Sequence, residues 1–200
     1  MISQQESRER YIGGSDANMV YMNYDTQSFK NWWSYKITGI KLFELKGMHI
    51  TLGNIIEDYV LDHIGLDRKY RGVKKMHPEL KYVGCNTDGL EEDPIILHEV
   101  KKMMPQKAQK IMLGSKLPIA YRRQVGHSIW VTGAEKAKIH MLEIDEEGEY
   151  NPWGIDMGSN LYTIEMGQEL DIEEHKRRIL YLTDCFDNGI TPTNEGLELY

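Results

Sequence analysis

Cysteine is almost absent from this chain, which has 200 residues and only Cys85 and Cys185 among them. An iron–sulfur cluster needs several thiolates, and a structural zinc site needs a cluster of Cys and His ligands. Two isolated cysteines therefore argue against both kinds of centre. Because thiols stay reduced in the cytoplasm, that compartment is the expected setting.

Long apolar runs are lacking as well. No uninterrupted stretch approaches the roughly 18–20 residues that a membrane helix requires. The start of the chain is polar, so we expect neither a signal peptide nor an anchor there; its polar residues are Gln4, Gln5, Glu6, Arg8, Glu9 and Arg10. No internal repeat stands out, and the length suits one core. We expect one domain over residues 1–189 and a C-terminal tail over residues 190–200.

Positive charge is scarce overall but concentrated in one segment. The chain has 24 Lys and Arg against 31 Asp and Glu, a net charge of −7. Residues 68–123 nevertheless carry 13 basic and 6 acidic side chains, whereas residues 140–200 carry 3 and 15. Attraction of phosphate depends on the local field, so the basic segment allows a nucleic-acid partner. As an alternative to a DNA contact, the basic residues in 68–71 and 74–75 belong to a solvated hairpin. The acidic segment over residues 140–200 either repels DNA or binds a basic partner.

Two carboxylates and an amine fall near the ends of two predicted strands. Asp88 closes one apolar run, and the apolar residues of 95–103 predict a buried strand. Because side chains alternate along a strand, Glu99 and Lys101 share one face and Val100 takes the other. Such a set can bind Mg²⁺ and activate a water for phosphodiester hydrolysis. Glu-x-Lys alone is weak evidence, since many solvated strand faces carry it.

Two predicted helices supply further polar side chains. Glu57 borders the apolar stripe of a helix over residues 53–64. Tyr121 and Gln124 are three residues apart on one face of a helix over residues 118–131. For each helix taken alone, a solvent-facing polar surface is the simpler interpretation.

The remaining pattern predicts an α/β fold with a mixed central β-sheet flanked by helices. The aromatic cluster of Phe29, Trp32, Trp33 and Tyr35 is expected in the core rather than stacked on bases. An acidic, solvated turn is predicted over residues 145–148, and a Lys-rich loop or short helix over residues 105–116. The other predicted helices cover residues 15–21, 26–38 and 171–186, and the other predicted strands cover residues 138–144 and 161–166.

In this order, the segments resemble one known family, the lambda-type phage exonucleases (YqaJ-like viral recombinases) of the PD-(D/E)xK nuclease superfamily. No single motif is specific, but several in the right order carry the resemblance from about residue 8 to residue 124. The family often has Pro before the motif Asp, where Thr87 stands here. The matching motifs are Arg8, Gly14-Ser15-Asp16, Gly53-x-x-x-Glu57, Asp88-Gly89, Glu99-x-Lys101 and Tyr121-x-x-Gln124.

The resemblance implies a restriction-endonuclease-like core with a metal site. Asp88 and Glu99, helped by the backbone carbonyl of Val100, would bind Mg²⁺, with Mn²⁺ as a substitute. Glu57 would bind a second ion or orient its water shell. Lys101 would help to deprotonate or position the attacking water.

The resemblance also assigns residues to substrate. Gln124 would align the attacking water, and Tyr121 would contact DNA. Arg8 and Ser15 fall where the family grips a 5′ phosphate, a task that suits a guanidinium and a hydroxyl. The alternative for Ser15 and Asp16 is a helix N-cap, and both roles can coexist.

The resulting hypothesis is a metal-dependent 5′-to-3′ exonuclease that acts on double-stranded DNA ends and leaves 3′ overhangs. By resemblance it would be a phage or prophage protein in a bacterial host, handing its product to a single-strand annealing protein. Family members can form a ring-shaped homotrimer that threads DNA, although nothing in these residues demonstrates one. An endonuclease on the same fold, or a catalytically silent DNA- or partner-binding module, remains the alternative.

Overall fold

The computed structural model describes residues 11–40, 48–145 and 154–200, with side chains from Leu52 onward in the second range. Two predictions fall partly or wholly outside these ranges: the 5′-phosphate contact of Arg8 and most of the acidic turn over residues 145–148. No helix within the described ranges is long and apolar enough to cross a membrane.

The helices agree closely with the sequence pattern. A 3-10 turn (Gly14–Asp16) leads directly into the first helix, and a second 3-10 turn spans Arg68–Tyr70. The Lys-rich segment over residues 105–116 contains a helix rather than only a loop. In chain order the α-helices of the described residues are α1 (Ala17–Val20), α2 (Gln27–Thr38), α3 (Met48–His63), α4 (Pro105–Met112), α5 (Ile119–Thr132), α6 (Met157–Asn160), α7 (Ile172–Asp187) and α8 (Asn194–Leu199).

Side-chain caps explain where two of these helices begin. The Thr26 hydroxyl accepts a hydrogen bond from the Phe29 backbone N–H ahead of α2. The Asp171 carboxylate accepts one from the Glu174 N–H ahead of α7. These caps satisfy backbone donors that have no partner inside the helix. The cap at Asp171 lies where the helix predicted over residues 171–186 begins.

The strands form a small sheet and a central sheet. Strands β1 (Lys74–Met76) and β2 (Gly84–Asn86) pair antiparallel. In the central sheet β4 and β5 run parallel, whereas β3 pairs with β4, and β6 with β5, in antiparallel fashion. The prediction of a mixed sheet is confirmed. Across this sheet the order is β3 (Gly89–Glu92), β4 (Ile95–Met103), β5 (Lys136–Glu143) and β6 (Leu161–Met166).

Helices cover both faces of the central sheet, because alternate side chains of β4 and β5 point in opposite directions. Odd-numbered residues such as Leu97 and Ile139 pack against Val125 and other apolar residues of α4 and α5. On the other face, Leu142 and the half-buried Val100 pack with apolar residues of α3. β4 therefore has one face under α5 and the other under α3.

A third cluster joins the N-terminal helices to α7 and α8. Phe29 and Trp33 are buried in it, so this part of the aromatic cluster belongs to the core, as predicted. The tail predicted over residues 190–200 ends in α8, and Leu197 of that helix is buried in the same cluster. The C-terminal segment is thus packed against the rest of the chain.

Candidate active site

Asp88 and Glu99 meet because of the antiparallel register of β3 and β4. Gly89 pairs with His98, so Asp88, the residue before Gly89, lies beside Glu99. The Val100 backbone N–H donates a hydrogen bond of 2.6 Å to Asp88 Oδ2. The Glu99 side chain is almost fully buried, at 2% exposure. The two carboxylates are therefore held close together with little water around them.

This crowding of negative charge changes the acidity of Asp88. Burial raises the pKa of the Asp88 carboxyl well above its usual value, and the charges of Glu99 and Glu57 raise it further. Glu57 is half-buried on α3 and lies close enough to contribute to this effect. The structure thus brings Glu57 near Asp88 rather than leaving it on an unrelated helix surface; its role at a second ion stays a prediction.

Two donors converge on the same oxygen of Glu99. Glu99 Oε1 accepts a hydrogen bond of 2.6 Å from Gln124 Nε2 and a close ion-pair contact from Lys101 Nζ. Lys101 Nζ also lies 5.2 Å from the centre of the Tyr121 ring. Tyr121 and Gln124 therefore face the site from α5, rather than forming a separate solvent-facing surface.

The environment keeps Lys101 protonated. Burial alone would lower the pKa of Lys101, but the charge and hydrogen bond of Glu99, with a further contribution from Asp88, raise it above its usual value. In the described state Lys101 is consequently a hydrogen-bond donor. It becomes a better proton acceptor when the negative charge of Glu99 is neutralised, because that charge is what raises its pKa.

A cleft of about 380 Å³ runs past these residues and includes Asp88 and Gln124 in its wall. Ser15 is exposed and lines the same cleft. Gly14 explains how Ser15 comes so near: a Cβ built on Gly14 would lie 2.7 Å from Ser128 Oγ on α5. A larger residue at Gly14 would therefore force the Ser128 hydroxyl to move, so glycine suits this close approach.

Asp16 supports the turn that carries Ser15. Its Oδ2 accepts a hydrogen bond of 2.9 Å from Gly13 N and pairs with Lys36 Nζ at 2.6 Å. Its Oδ1 accepts a hydrogen bond of 2.8 Å from Trp32 Nε1. Asp16 therefore caps the 3-10 turn from its third position, whereas its side chain makes no cap bond at the start of α1, and Ser15 lines the cleft. The sequence carried no signal for Lys36, which lies in the aromatic helix.

Thr87 has a structural reason to replace the proline that the family often has before the motif Asp. The Thr87 backbone N–H donates a hydrogen bond of 3.0 Å to Val73 O, and its hydroxyl donates a second one of 3.1 Å. Proline has no N–H and could make neither bond. Thr87 thus anchors the segment before Asp88 to the chain preceding β1.

The donor set is chemically suited to a hard divalent cation. Asp88, Glu99 and Glu57 supply carboxylate oxygens, which Mg²⁺ and Mn²⁺ prefer. Burial, and then the charges of Glu99 and Glu57, raise the pKa of Asp88, so a cation at this site would favour its charged form. Among the described residues no group of three or more His, Cys, Asp and Glu side chains is arranged to hold a metal ion.

The chain resembles known proteins both in sequence and in structure. A family model described as "YqaJ-like viral recombinase domain" matches residues 5–135. No curated protein matches the chain. Among solved structures, it is similar to an alkaline exonuclease (LHK-Exo) from Laribacter hongkongensis, with 14% identity, a TM-score of 0.67, and coverage of 92% of this chain and 91% of that one.

Two further solved structures support the same fold. LHK-Exo in complex with dAMP has 15% identity and a TM-score of 0.65, with coverage of 90% of this chain and 89% of that one. A phage-related exonuclease from Haemophilus somnus 129PT has 12% identity and a TM-score of 0.64, with coverage of 93% and 97%. The predicted restriction-endonuclease-like α/β core is confirmed by these likenesses.

Proposed function

Because the chain belongs to the YqaJ-like viral recombinase domain family, we propose that it is a metal-dependent 5′-to-3′ exonuclease. It degrades one strand of linear double-stranded DNA and leaves 3′ overhangs for phage-type recombination. The observation that carries this proposal is the convergence of Glu99 with Lys101 and Gln124 beside Asp88, at the cleft that Ser15 lines. That set combines carboxylates, a cation and an amide within one partly closed space.

The proposed cofactor is Mg²⁺, with Mn²⁺ able to substitute. Asp88 and Glu99 would hold it, with the Val100 carbonyl and Glu57 as further oxygen donors. The bound ion supplies positive charge to the phosphate and lowers the pKa of a bound water. Neutralisation of the Asp88 and Glu99 charges would also remove the repulsion that raises the pKa of Asp88.

Lys101 and Gln124 are the proposed positioning and proton-transfer groups. The Gln124 amide donates to Glu99 Oε1 through one N–H, which leaves its other N–H and its carbonyl to orient a water. Lys101, on the same oxygen, carries its proton beside the reacting phosphate. Once the charge of Glu99 is offset, the pKa of Lys101 falls, so that it can release this proton to solvent and then accept one from the attacking water. General acid–base help of this kind contributes about 10²–10⁴-fold to rate.

Ser15 and Arg8 are the proposed 5′-phosphate ligands. Ser15 lines the wall of the cleft that also contains Asp88, so a terminal phosphate on Ser15 would present the adjoining phosphodiester to the carboxylates. Tyr121, beside Lys101, is proposed to contact DNA next to the reacting group. The dAMP bound to LHK-Exo is a deoxynucleoside monophosphate, the kind of product that stepwise cleavage releases, and supports the proposal by analogy.

The proposed setting is a bacterial cytoplasm, where the phage or prophage protein acts on duplex ends and passes its product to a single-strand annealing protein. The ring-shaped trimer of family members is proposed here as well. Size-exclusion chromatography with light scattering tests the oligomeric state. A mass of one chain at micromolar concentration would contradict the trimer.

The function is tested by incubating the protein with linear duplex DNA and with closed circular DNA, in Mg²⁺ and in EDTA. The linear DNA carries either 5′-phosphate or 5′-hydroxyl ends, and each strand is labelled separately. We expect stepwise loss of the 5′-ended strand in Mg²⁺, a preference for phosphorylated ends, and no products in EDTA. Arg8→Ala and Ser15→Ala should each reduce the end preference, since a charge-assisted hydrogen bond is worth roughly 1.5–3 kcal/mol.

Three outcomes would contradict parts of this proposal. Cutting of closed circles as fast as linear DNA would favour an endonuclease on the same fold. DNA binding without products under every condition would favour a silent binding module. If the preference for 5′-phosphorylated ends survives both Arg8→Ala and Ser15→Ala, the exonuclease proposal stands but Arg8 and Ser15 are not the phosphate ligands.

A further inference from the structure

Arg123 lies on α5 immediately before Gln124, at the side of the candidate active site. Its guanidinium carbon is 4.4 Å from the centre of the Tyr21 ring, and its Nη1 donates a hydrogen bond of 2.9 Å to Asn18 Oδ1. Asn18 lies in α1, three residues after Ser15, and Tyr21 directly follows the end of that helix. Arg123 therefore contacts the short segment that follows Ser15.

The neighbouring arginines have carboxylate partners, but Arg123 is arranged differently. Arg122 Nη1 lies 3.1 Å from Glu169, and Arg178 Nε lies 2.6 Å from Glu174. Within the part of the chain that the structure describes, the polar partner recorded for Arg123 is the neutral amide of Asn18. Its positive charge is therefore available to an external anion.

Other cations close to Arg123 strengthen this argument. Arg178 lies over the same Tyr21 ring, with its guanidinium carbon 5.3 Å from the ring centre. Burial lowers the pKa of Arg123, Tyr21 offsets part of this, and the charges of Arg178 and Arg122 lower it further. An anion placed beside Arg123 would relieve this mutual repulsion.

The guanidinium is also preorganised. Stacking on an aromatic face holds it flat, and Tyr21 is fixed in turn because its hydroxyl lies 3.1 Å from His175 Nδ1. A planar guanidinium offers paired N–H donors that match two phosphate oxygens. Arg123 is half-buried, so part of its side chain remains accessible to a ligand.

We infer that Arg123, held against Tyr21 and Asn18, binds a phosphate group of DNA beside the segment that follows Ser15. This inference rests on the proposed function for the identity of the ligand as DNA. The phosphate is either the 5′-terminal group or one in the sugar–phosphate backbone, and both have the anionic oxygens that the site requires.

The test compares two adjacent arginines of the same helix. Arg123→Gln and Arg122→Gln remove the same charge, but only the first removes the proposed phosphate ligand. Binding of a fluorescently labelled duplex is measured by anisotropy, without cleavage, in EDTA and again with Ca²⁺. We expect Arg123→Gln to raise the Kd for DNA by about 10- to 100-fold, the effect of losing one charge-assisted hydrogen bond. Arg122→Gln should weaken it less than about threefold, the effect of a surface charge.

Salt dependence provides a second readout. Loss of one phosphate contact should reduce the slope of log Kd against log salt by about 1 in Arg123→Gln, with a smaller change in Arg122→Gln. Equal effects of the two variants on Kd and on this slope would overturn the inference. If Arg123→Gln does not fold, Arg123→Lys and Arg122→Lys are compared, and equal affinities for that pair would overturn it as well.

Duplexes with 5′-phosphate and 5′-hydroxyl ends distinguish the two sources of phosphate. A larger loss of affinity on the phosphorylated duplex supports the terminal group, and the same loss on both duplexes supports a backbone phosphate. The binding measurement needs no cleavage, so the two proposals can fail separately. If the protein cuts no DNA but its affinity for DNA depends on Arg123, the proposed exonuclease is overturned and this inference stands. If the protein cuts DNA but its affinity does not depend on Arg123, this inference is overturned and the exonuclease stands.

Discussion

The two faces of strand β4 carry equally buried polar residues that behave in opposite ways. His98 and Glu99 are consecutive and are 3% and 2% exposed. On the face of His98, its Nδ1 lies 2.9 Å from His140 Nε2 and its Nε2 lies 3.0 Å from Glu91 Oε1, and His140 Nδ1 lies 2.9 Å from the Thr163 hydroxyl. Neutral rings satisfy this chain when His140 donates to His98 and His98 donates to Glu91.

The face of Glu99 is not balanced in this way. Burial raises the pKa of Asp88, and the charges of the adjacent Glu99 and of Glu57 on α3 raise it further. On the His98 face, burial lowers the pKa of both imidazoles, to about 4 for His140, so the rings stay neutral. Burial of polar groups therefore does not by itself mark a functional site. Buried charge that the fold leaves uncompensated beside a cleft is a better indicator of a functional site.

The largest expected effect concerns the carboxylates. Asp88→Asn or Glu99→Gln should reduce DNA cleavage in Mg²⁺ by more than about a thousandfold, because each removes a proposed metal ligand. The matched control is Glu91→Gln, which changes a carboxylate on the opposite face of the sheet and should leave cleavage close to the parent rate. Rates are measured on labelled linear duplex, with circular dichroism as the check on folding. Near-parent cleavage by either site variant would remove the metal site from consideration.

The next effect separates Lys101 from the ligands. Lys101→Ala should lower the turnover rate by about 10²–10⁴-fold, the range of general acid–base catalysis. Its divalent-ion affinity should change little, because an ammonium group makes no bond to a metal. The ion affinity is followed by titration of Mn²⁺. A surface ion pair would be worth only about 0–1 kcal/mol of stability, so parent-like activity in Lys101→Ala would mean that the pair with Glu99 is structural.

A smaller effect is expected on the other face. His140→Leu leaves His98 without its partner in a buried site and should lower the free energy of unfolding by about 1–3 kcal/mol. The double variant His98→Leu with His140→Leu should lose less than the sum of the two single variants, because both partners are removed together. Urea unfolding measures all four proteins. If a folded His140→Leu protein loses DNA cleavage, the interpretation of the His98 face as structural and the Glu99 face as catalytic is wrong.

The smallest effect is one of pH in the absence of divalent ions. The folded-state pKa of Asp88 lies above its unfolded value, so charging Asp88 destabilises the fold as pH rises through that folded-state pKa. Asp88→Asn should therefore be more stable than the parent at pH 7–8, on the order of 1 kcal/mol, with the difference shrinking in acid. The exposed Asp58→Asn is the control, measured by unfolding in EDTA. A stability difference for Asp88→Asn that is the same at pH 5 and pH 8 would argue against the charge crowding.

Periodicity was enough to locate β4, since a nine-residue buried strand beside two helices has few alternative interpretations. It also placed Glu99 and Lys101 on one face. The same reasoning left Glu57, Tyr121 and Gln124 ambiguous, because polar residues at the border of an apolar stripe are equally typical of solvated helices. Only the order of the motifs, through a family resemblance, favoured a site.

Several features had no local signal at all. The hydrogen-bonded chain from Glu91 through His98 and His140 to Thr163 joins four strands by their register, which single-residue patterns do not specify. The pairing of Asp16 with Lys36 likewise joins two helical segments. Arg122 and Arg123 are adjacent residues of the same type, so the sequence does not distinguish their roles. In the structure Arg122 pairs with Glu169, whereas Arg123 donates to Asn18.

The sequence by itself determined the longer helices and strands β4, β5 and β6, the face of β4 that carries Glu99 and Lys101, and the order of motifs on which the family resemblance rests. These follow from local periodicity and from residue chemistry, which are properties of neighbours along the chain. The tertiary structure alone decided which buried charges remain uncompensated, how closely Gly14 brings Ser15 to α5, and which arginine lacks a carboxylate. These depend on distances between residues far apart in sequence, where electrostatic energies and close contacts change steeply with separation.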